Sequence, residues 1–216
     1  MRNLLLILLS VLFSITLPVA AEAGPLEEAL TLDRQGFVEE TVPLWKQFLA
    51  TGPKPELEIY ATIKLCIAFS NLGQLGEAME AAKILGERFP EDFHAQFNLG
   101  NMTSAVQLYP EAVQAYRKVV ALHPEEGLAQ VGLGLSLFGD QKADEAVEIL
   151  RRARKLFKEQ KNISWYQNVR IMIGQLKSFA PYPPDFSNLW LNNNLKTVRD
   201  TYHRSLFLEY EKELGF

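Results

Sequence analysis

Three histidines, one cysteine and two acidic pairs carry most of the chemical potential of this 216-residue chain. His94, His123 and His203 lie far apart, and none has a second ligand at the spacing of an HExxH or CxxC metal site. Cys66 stands alone, so no internal disulfide can form, and its apolar neighbours make it inert packing. The run Gly134-Leu135-Ser136-Leu137-Phe138 lacks the second glycine of a serine nucleophile elbow, and no strand precedes it. Gly132-Leu133-Gly134 begins like a phosphate loop but continues without the third glycine. It reads as small residues that let helices approach. Glu125-Glu126 and Asp144-Glu145 could pair for hydrolysis, yet they fall at helix starts, where acids complement the macrodipole. No catalytic residue, metal, cofactor or small-molecule substrate is inferred, and the chain is not expected to be an enzyme.

The elements that carry these residues follow a repeat. Pro90 and Pro124 are 34 residues apart, and Ala78, Ala112 and Ala146 keep the same step. A second column runs Leu65-Cys66, Leu99-Gly100, Leu133-Gly134, each an apolar residue followed by a small one. Repeats of this length form one supersecondary unit that cannot bury its apolar face alone, so neighbours must stack into a continuous core. The columns resemble the tetratricopeptide repeat, in which two helices cross at small residues and a proline closes the unit. Units starting at Ile59, Phe93 and Gly127 set Cys66, Gly100 and Gly134 at the small position of helix A, and the three alanines at that of helix B. Tyr116 takes the aromatic position in the second of these, and Lys158 replaces the closing proline of the third. A degenerate first unit spans about residues 22–55, with Ala29, Gly36, Trp45 and Pro53 in register. Its Pro43 predicts a helix B that starts near Thr41 or is kinked there.

The expected fold is therefore an all-α, right-handed tetratricopeptide solenoid of about four repeats (22–55, 59–92, 93–126 and 127–160) within residues 24–158. Residues 159–216 add a capping helix, a Pro-rich linker and a terminal amphipathic helix. Ile163, Tyr166, Val169, Met172, Ile173 and Leu176 draw the cap over about 162–178. Ala180 to Phe186, with three prolines, is biased to extended polyproline geometry. Leu191, Leu195, Val198, Tyr202, Leu206 and Tyr210 then mark one face of a last helix, opposite Asn193, Lys196, Arg199, Asp200, Arg204 and Glu209. That helix either docks on the solenoid or serves as an interface.

Residues 1–23 carry Arg2, an apolar run from Leu4 to Leu17, Pro18 and small residues at Ala20, Ala21 and Ala23, the pattern of a cleaved secretory signal. Cleavage after Ala21 or Ala23 would fit, and an anchored form is the alternative. The expected compartment is the periplasm or an equivalent lumen. A net charge of −4 offers no footing for nucleic acid or an anionic bilayer. Arg151, Arg152, Arg154, Lys155 and Lys158 form the largest basic cluster, read as a solvated helix end in preference to an anion patch. Of the sequons at Asn101 and Asn162, the one at Asn101 falls on the groove wall within a packed helix, so it reads as accidental and fits export without N-glycosylation.

The resemblance also implies where a ligand would lie. Helix A of each unit lines a concave groove, which here puts Tyr60, Ile63, Ile67, His94, Phe97, Asn101, Leu128, Val131, Leu135 and Phe138 on its wall. An apolar, aromatic groove suits a hydrophobic peptide or helix and not an acidic tail. The function expected is a non-catalytic protein-interaction module or assembly factor of the cell envelope. One alternative is a structural subunit, self-associating through its terminal helix, whose groove its own Pro-rich C-terminal segment fills. Another is an accessory subunit of an envelope enzyme.

Overall fold

Prolines and polar caps start several of the helices, and one recurrent turn ends the first helix of each pair. The computed structural model describes residues 24–179 and 181–214, among which there are ten α-helices, one short 3₁₀ helix and no strand. The leader expected over 1–23 lies outside the described residues. Four helix pairs follow in order: α1 (Pro25–Gln35) with α2 (Val38–Ala50), α3 (Pro55–Asn71) with α4 (Leu75–Arg88), α5 (Phe93–Ala105) with α6 (Tyr109–Leu122), and α7 (Gly127–Gly139) with α8 (Ala143–Glu159). α9 (Ile163–Phe179) packs on α8 as the expected cap, and α10 (Asn188–Leu214) ends the chain's described part. No described helix is long and apolar enough to cross a membrane.

Pro25 and Pro55 open α1 and α3, and Pro110 lies in the first turn of α6, where the missing N–H costs nothing. Asp92 and Asn162 cap α5 and α9, accepting from the amides of Ala95 at 2.8 Å and Trp165 at 3.1 Å. Each helix A stops at a left-handed residue: Gly36 (φ 83°), Gly73 (75°), Gln107 (63°) and Gln141 (61°). Lys161 (59°) ends α8 in the same way. The next amide donates to the carbonyl five residues back, as in Leu108 to Thr103 at 2.9 Å and Lys142 to Leu137 at 2.8 Å. Sharp, identical turns keep each pair in register with the next.

The small-residue columns are where the helices touch. Cys66, Ala78, Ala112 and Ala146 are fully buried, and the Cys66 thiol donates to the Ala78 carbonyl at 3.3 Å, linking the two columns. A Cβ on Gly100 would stand 3.0 Å from the Tyr116 ring, and one on Gly134 would stand 2.8 Å from Leu150. Gly132 is tighter still, at 2.5 Å from Tyr116. The Gly132-Leu133-Gly134 run therefore fits a ring and a leucine between helices.

Two expectations are corrected, and one residue of the apolar column departs from the others. Of the two alternatives for α2, the start near Thr41 is overturned: the helix begins at Val38, so Pro43 lies inside it; Thr41 is buried, with its hydroxyl turned back onto the Val38 carbonyl at 2.8 Å. The Pro-rich segment is extended only at Pro183 (φ −54°, ψ 147°): it turns at Pro181 and Tyr182 and forms a 3₁₀ helix over Pro184–Ser187. Leu99, in the apolar column, is only half-buried, because its side chain lies outward against Gly86 of α4.

Candidate functional site

The concave side of α3, α5 and α7 is aromatic, and α10 lies along it. The apolar stripe of α10 is the one the spacing marked: Leu191, Leu195, Val198, Tyr202, Leu206 and Tyr210 are all buried. With 27 residues at about 1.5 Å each, the helix is long enough to cross three repeats. It runs backwards through the array. At its start, Trp190 meets Phe138 of α7 edge-on at 5.8 Å, and Asn192 accepts from the Tyr109 hydroxyl. In its middle, Tyr202 stacks flat on Phe97 of α5, with centroids 3.9 Å apart and planes 8° from parallel. The Tyr202 hydroxyl lies 2.9 Å from His94 Nδ1. Near its end, Tyr210 stacks on Tyr60 of α3 at 5.3 Å while Phe207 meets the same ring edge-on.

Of the ten predicted groove residues, four, Tyr60, His94, Phe97 and Phe138, touch α10 through rings, and Asn101 and Leu128 line clefts together with α10 residues. Tyr60, Ile63, Phe97, Val131 and Leu135 have no exposed surface, and Asn101 has almost none. Ile67, His94, Leu128 and Phe138 remain half-buried. Phe97 is thus core in this state. The occupant is α10 and not the Pro-rich segment, because a helix offers one continuous apolar stripe whereas the linker's Tyr182 and Phe186 stack on each other at 4.8 Å and stay exposed.

One charged residue inside this seam was not anticipated. Lys64 of α3 is buried, its ammonium 2.7 Å from Asp33 of α1 and 3.6 Å from the Phe207 ring centroid. A cation held by one carboxylate and one ring face is satisfied without water. Its signal in sequence was a lysine among apolar residues of helix A. His203, one residue past Tyr202, is buried beside Phe207; burial, with Arg199 and Lys64 nearby, lowers its pKa to about 3 against the pull of Asp200. It is therefore a neutral packing group at physiological pH.

The remaining chemistry-bearing residues are dispersed. His123 is exposed beside Glu125, and no three or more metal-ligating side chains converge among the described residues. Burial pushes the Cys66 thiol up to about 12, with the Asn98 amide pulling partly back. Such a thiol is a poor nucleophile. Arg151 and Arg152 reach Glu148, and Lys155 reaches Glu159, so the basic cluster on α8 is a solvated, internally paired face. Asn101 is held by the Tyr116 hydroxyl at 2.9 Å inside the packed array.

Comparison with known proteins agrees with this architecture. Residues 105–160 match the tetratricopeptide-repeat family model. None of the curated proteins matches the chain. Among solved structures, MamA (residues 41 to the end) from Desulfovibrio magneticus RS-1 is similar at 21% identity and a TM-score of 0.59, over 87% of this chain and 94% of that one. A second MamA structure gives 16% identity and a TM-score of 0.58, over 89% and 93%. A putative kinesin light chain with TPR-like repeats from Podosopora anserina gives 19% and 0.58, over 84% and 94%. At these identities the likeness concerns the fold alone, a solenoid of helical repeats.

Proposed function

We propose that this chain, whose residues 105–160 match the tetratricopeptide-repeat family model, is a non-catalytic interaction scaffold exported to the cell envelope, whose groove α10 holds until an apolar helix of a partner replaces it. The observation that carries this reading is the seating of α10 across α3, α5 and α7 through Tyr202, Phe207 and Tyr210. α10 is an internal example of the ligand: an amphipathic helix read at positions three and four apart, with aromatic anchors. A partner helix with the same stripe competes for the same rings. Export is supported by Arg2, the Leu4–Leu17 apolar run and the small residues before Glu22 and Gly24.

Self-association by exchange of α10 between copies is a second reading. It is favoured by the exposure of Tyr182 (56%), Phe186 (63%) and Leu189 (75%) where the linker enters α10, an apolar patch at the hinge itself. One experiment separates the two. A photoreactive residue at His94, beside Tyr202, is crosslinked in the native envelope and in purified protein. The scaffold reading expects a distinct protein in the envelope and residues 188–214 of the same chain when purified. Crosslinks between two copies support exchange. Crosslinks only within one chain in both settings would remove groove exchange as the mode of recognition.

A further inference from the structure

We propose that Lys64 sets the specificity of the groove: a helix that replaces α10 must bring an aromatic ring, and no base, to the position that Phe207 holds. This rests on the reading of the groove as a site of exchange. Lys64 lies in α3 among apolar neighbours, and its side chain is 7% exposed. Its ammonium has one acid, Asp33 of α1 at 2.7 Å, and that carboxylate is itself 31% exposed. Two rings also hold it: Phe207, with its centroid 3.6 Å away, and Tyr60 at 5.6 Å. Asp33 and Tyr60 belong to the array, whereas Phe207 belongs to the occupant. His203, four residues before Phe207 and so on the same side of α10, is buried with its ring 6.1 Å from Phe207.

An ammonium carries three donors and is costly to bury short of partners. A ring face attracts it, most strongly where water is excluded, and leaves the Asp33 oxygen to its own contact. Leucine in place of Phe207 would fill space without a negative face, so the ammonium would lie under apolar carbon with one carboxylate. A lysine or arginine there would set two cations against each other; the charges of Lys64 and Arg199 already help to keep the buried His203 neutral. A single polar group in an apolar seam also fixes register, at a cost in stability. Sliding α10 by three residues one way would put Arg204 against Lys64, and the other way would put Ser205 on Phe97 in place of Tyr202. Phe97 and Phe138, which meet rings, make no such demand on charge.

The test has two arms, both on the full chain. In the first, hydrogen exchange along α10 is compared with and without Phe207→Leu, once beside Lys64 and once in the Lys64→Met variant. Phe207→Leu is expected to speed exchange at least about tenfold beside Lys64 and less than about threefold in Lys64→Met, which separates the ring's charge contact from its packing. In the second, peptides of residues 188–214, native or carrying Phe207→Leu or Phe207→Lys, compete for the groove of a chain with a photoreactive residue at His94. The native peptide should crosslink best, the leucine peptide at least about tenfold less well and the lysine peptide least, and Lys64→Met should bring the first two within about threefold. A Phe207→Leu effect of equal size in the two backgrounds, or a lysine peptide that competes as well as the native one, would overturn the proposal. Failure of every peptide to compete would instead remove groove exchange itself, and the first arm then decides whether Lys64 demands a ring of α10.

Discussion

Two seams of this molecule are built from opposite materials. Between α7 and its neighbours, contact is made by absence: Gly132 and Gly134 leave room for Tyr116 and Leu150, and a single added carbon would collide at 2.5–2.8 Å. Between α10 and the groove, contact is made by bulk: Tyr202 covers Phe97, and Tyr210 and Phe207 bracket Tyr60. Close backbone approach fixes one geometry, and it recurs every 34 residues because each repeat needs the same one. Ring contacts are broad and tolerate many partners, so a seam made from them suits an occupant that can be exchanged. Permanence and exchangeability are separated by residue size.

The largest expected effect tests whether the aromatic seam is energetically part of the core. Phe97→Ala should lower stability by about 3–5 kcal/mol in urea unfolding, the range for deleting a buried ring. Combined with Tyr202→Ala, the two losses should fall short of additivity by about 0.5–1.5 kcal/mol, the coupling of a stacked pair. Full additivity would mean that α10 does not depend on Phe97. On the other seam, Gly132→Ala should cost about 1–3 kcal/mol by overpacking against Tyr116, measured in the same way. An equal or greater stability would show that Tyr116 can move aside and that the glycine seam is not rigid. An effect of similar size, about 2 kcal/mol at pH 5, distinguishes the seams by acid. His203 is neutral when buried, down to about pH 3, but its unfolded or undocked form takes up a proton below about 6.5. The free form then binds more protons, so stability falls as pH drops from about 6.5 towards 3, by at most about 1.4 kcal/mol per unit. Asp200 favours the protonated ring, while Arg199 and Lys64 oppose it. Hydrogen exchange at pH 5 should therefore increase along α10 before it does in α5–α8, and His203→Phe should remove the difference.

The repeat was legible because its signal is steric and local. Cys66, Gly100, Gly134 and the alanine column Ala78, Ala112, Ala146 must be small for the helices to cross, and no long-range information is needed to read them. The stripe on α10 was equally legible, but a stripe reveals that a face is buried without naming what covers it. The aromatic groove and the aromatic stripe were each identified, and the match between them, Phe97 with Tyr202 and Tyr60 with Tyr210, was the available clue. Local rules failed at Pro43, which α2 accommodates inside its length, and in the linker, where prolines that favour extension are bent into a 3₁₀ turn. Lys64 stood out in sequence only as a lysine among apolar residues, and its role was not legible because its partners, Asp33 and Phe207, lie 31 residues before it and far along the chain.

That lysine has a consequence for how the chain matures. Repeat arrays whose units touch only neighbours can form and melt piecemeal, from either end. Here Lys64 joins Asp33 of the first pair to Phe207 of the last helix, and α10 spans the pairs between them. High contact order is thereby imposed on an otherwise local topology, which slows completion and couples both ends into one transition. On the ribosome, where synthesis runs from the N-terminus, the groove-facing rings of α3 and α5 emerge before their cover exists. Until the 27-residue α10 has been made, these rings lack their cover, and that interval is when an escort protein would find them most accessible.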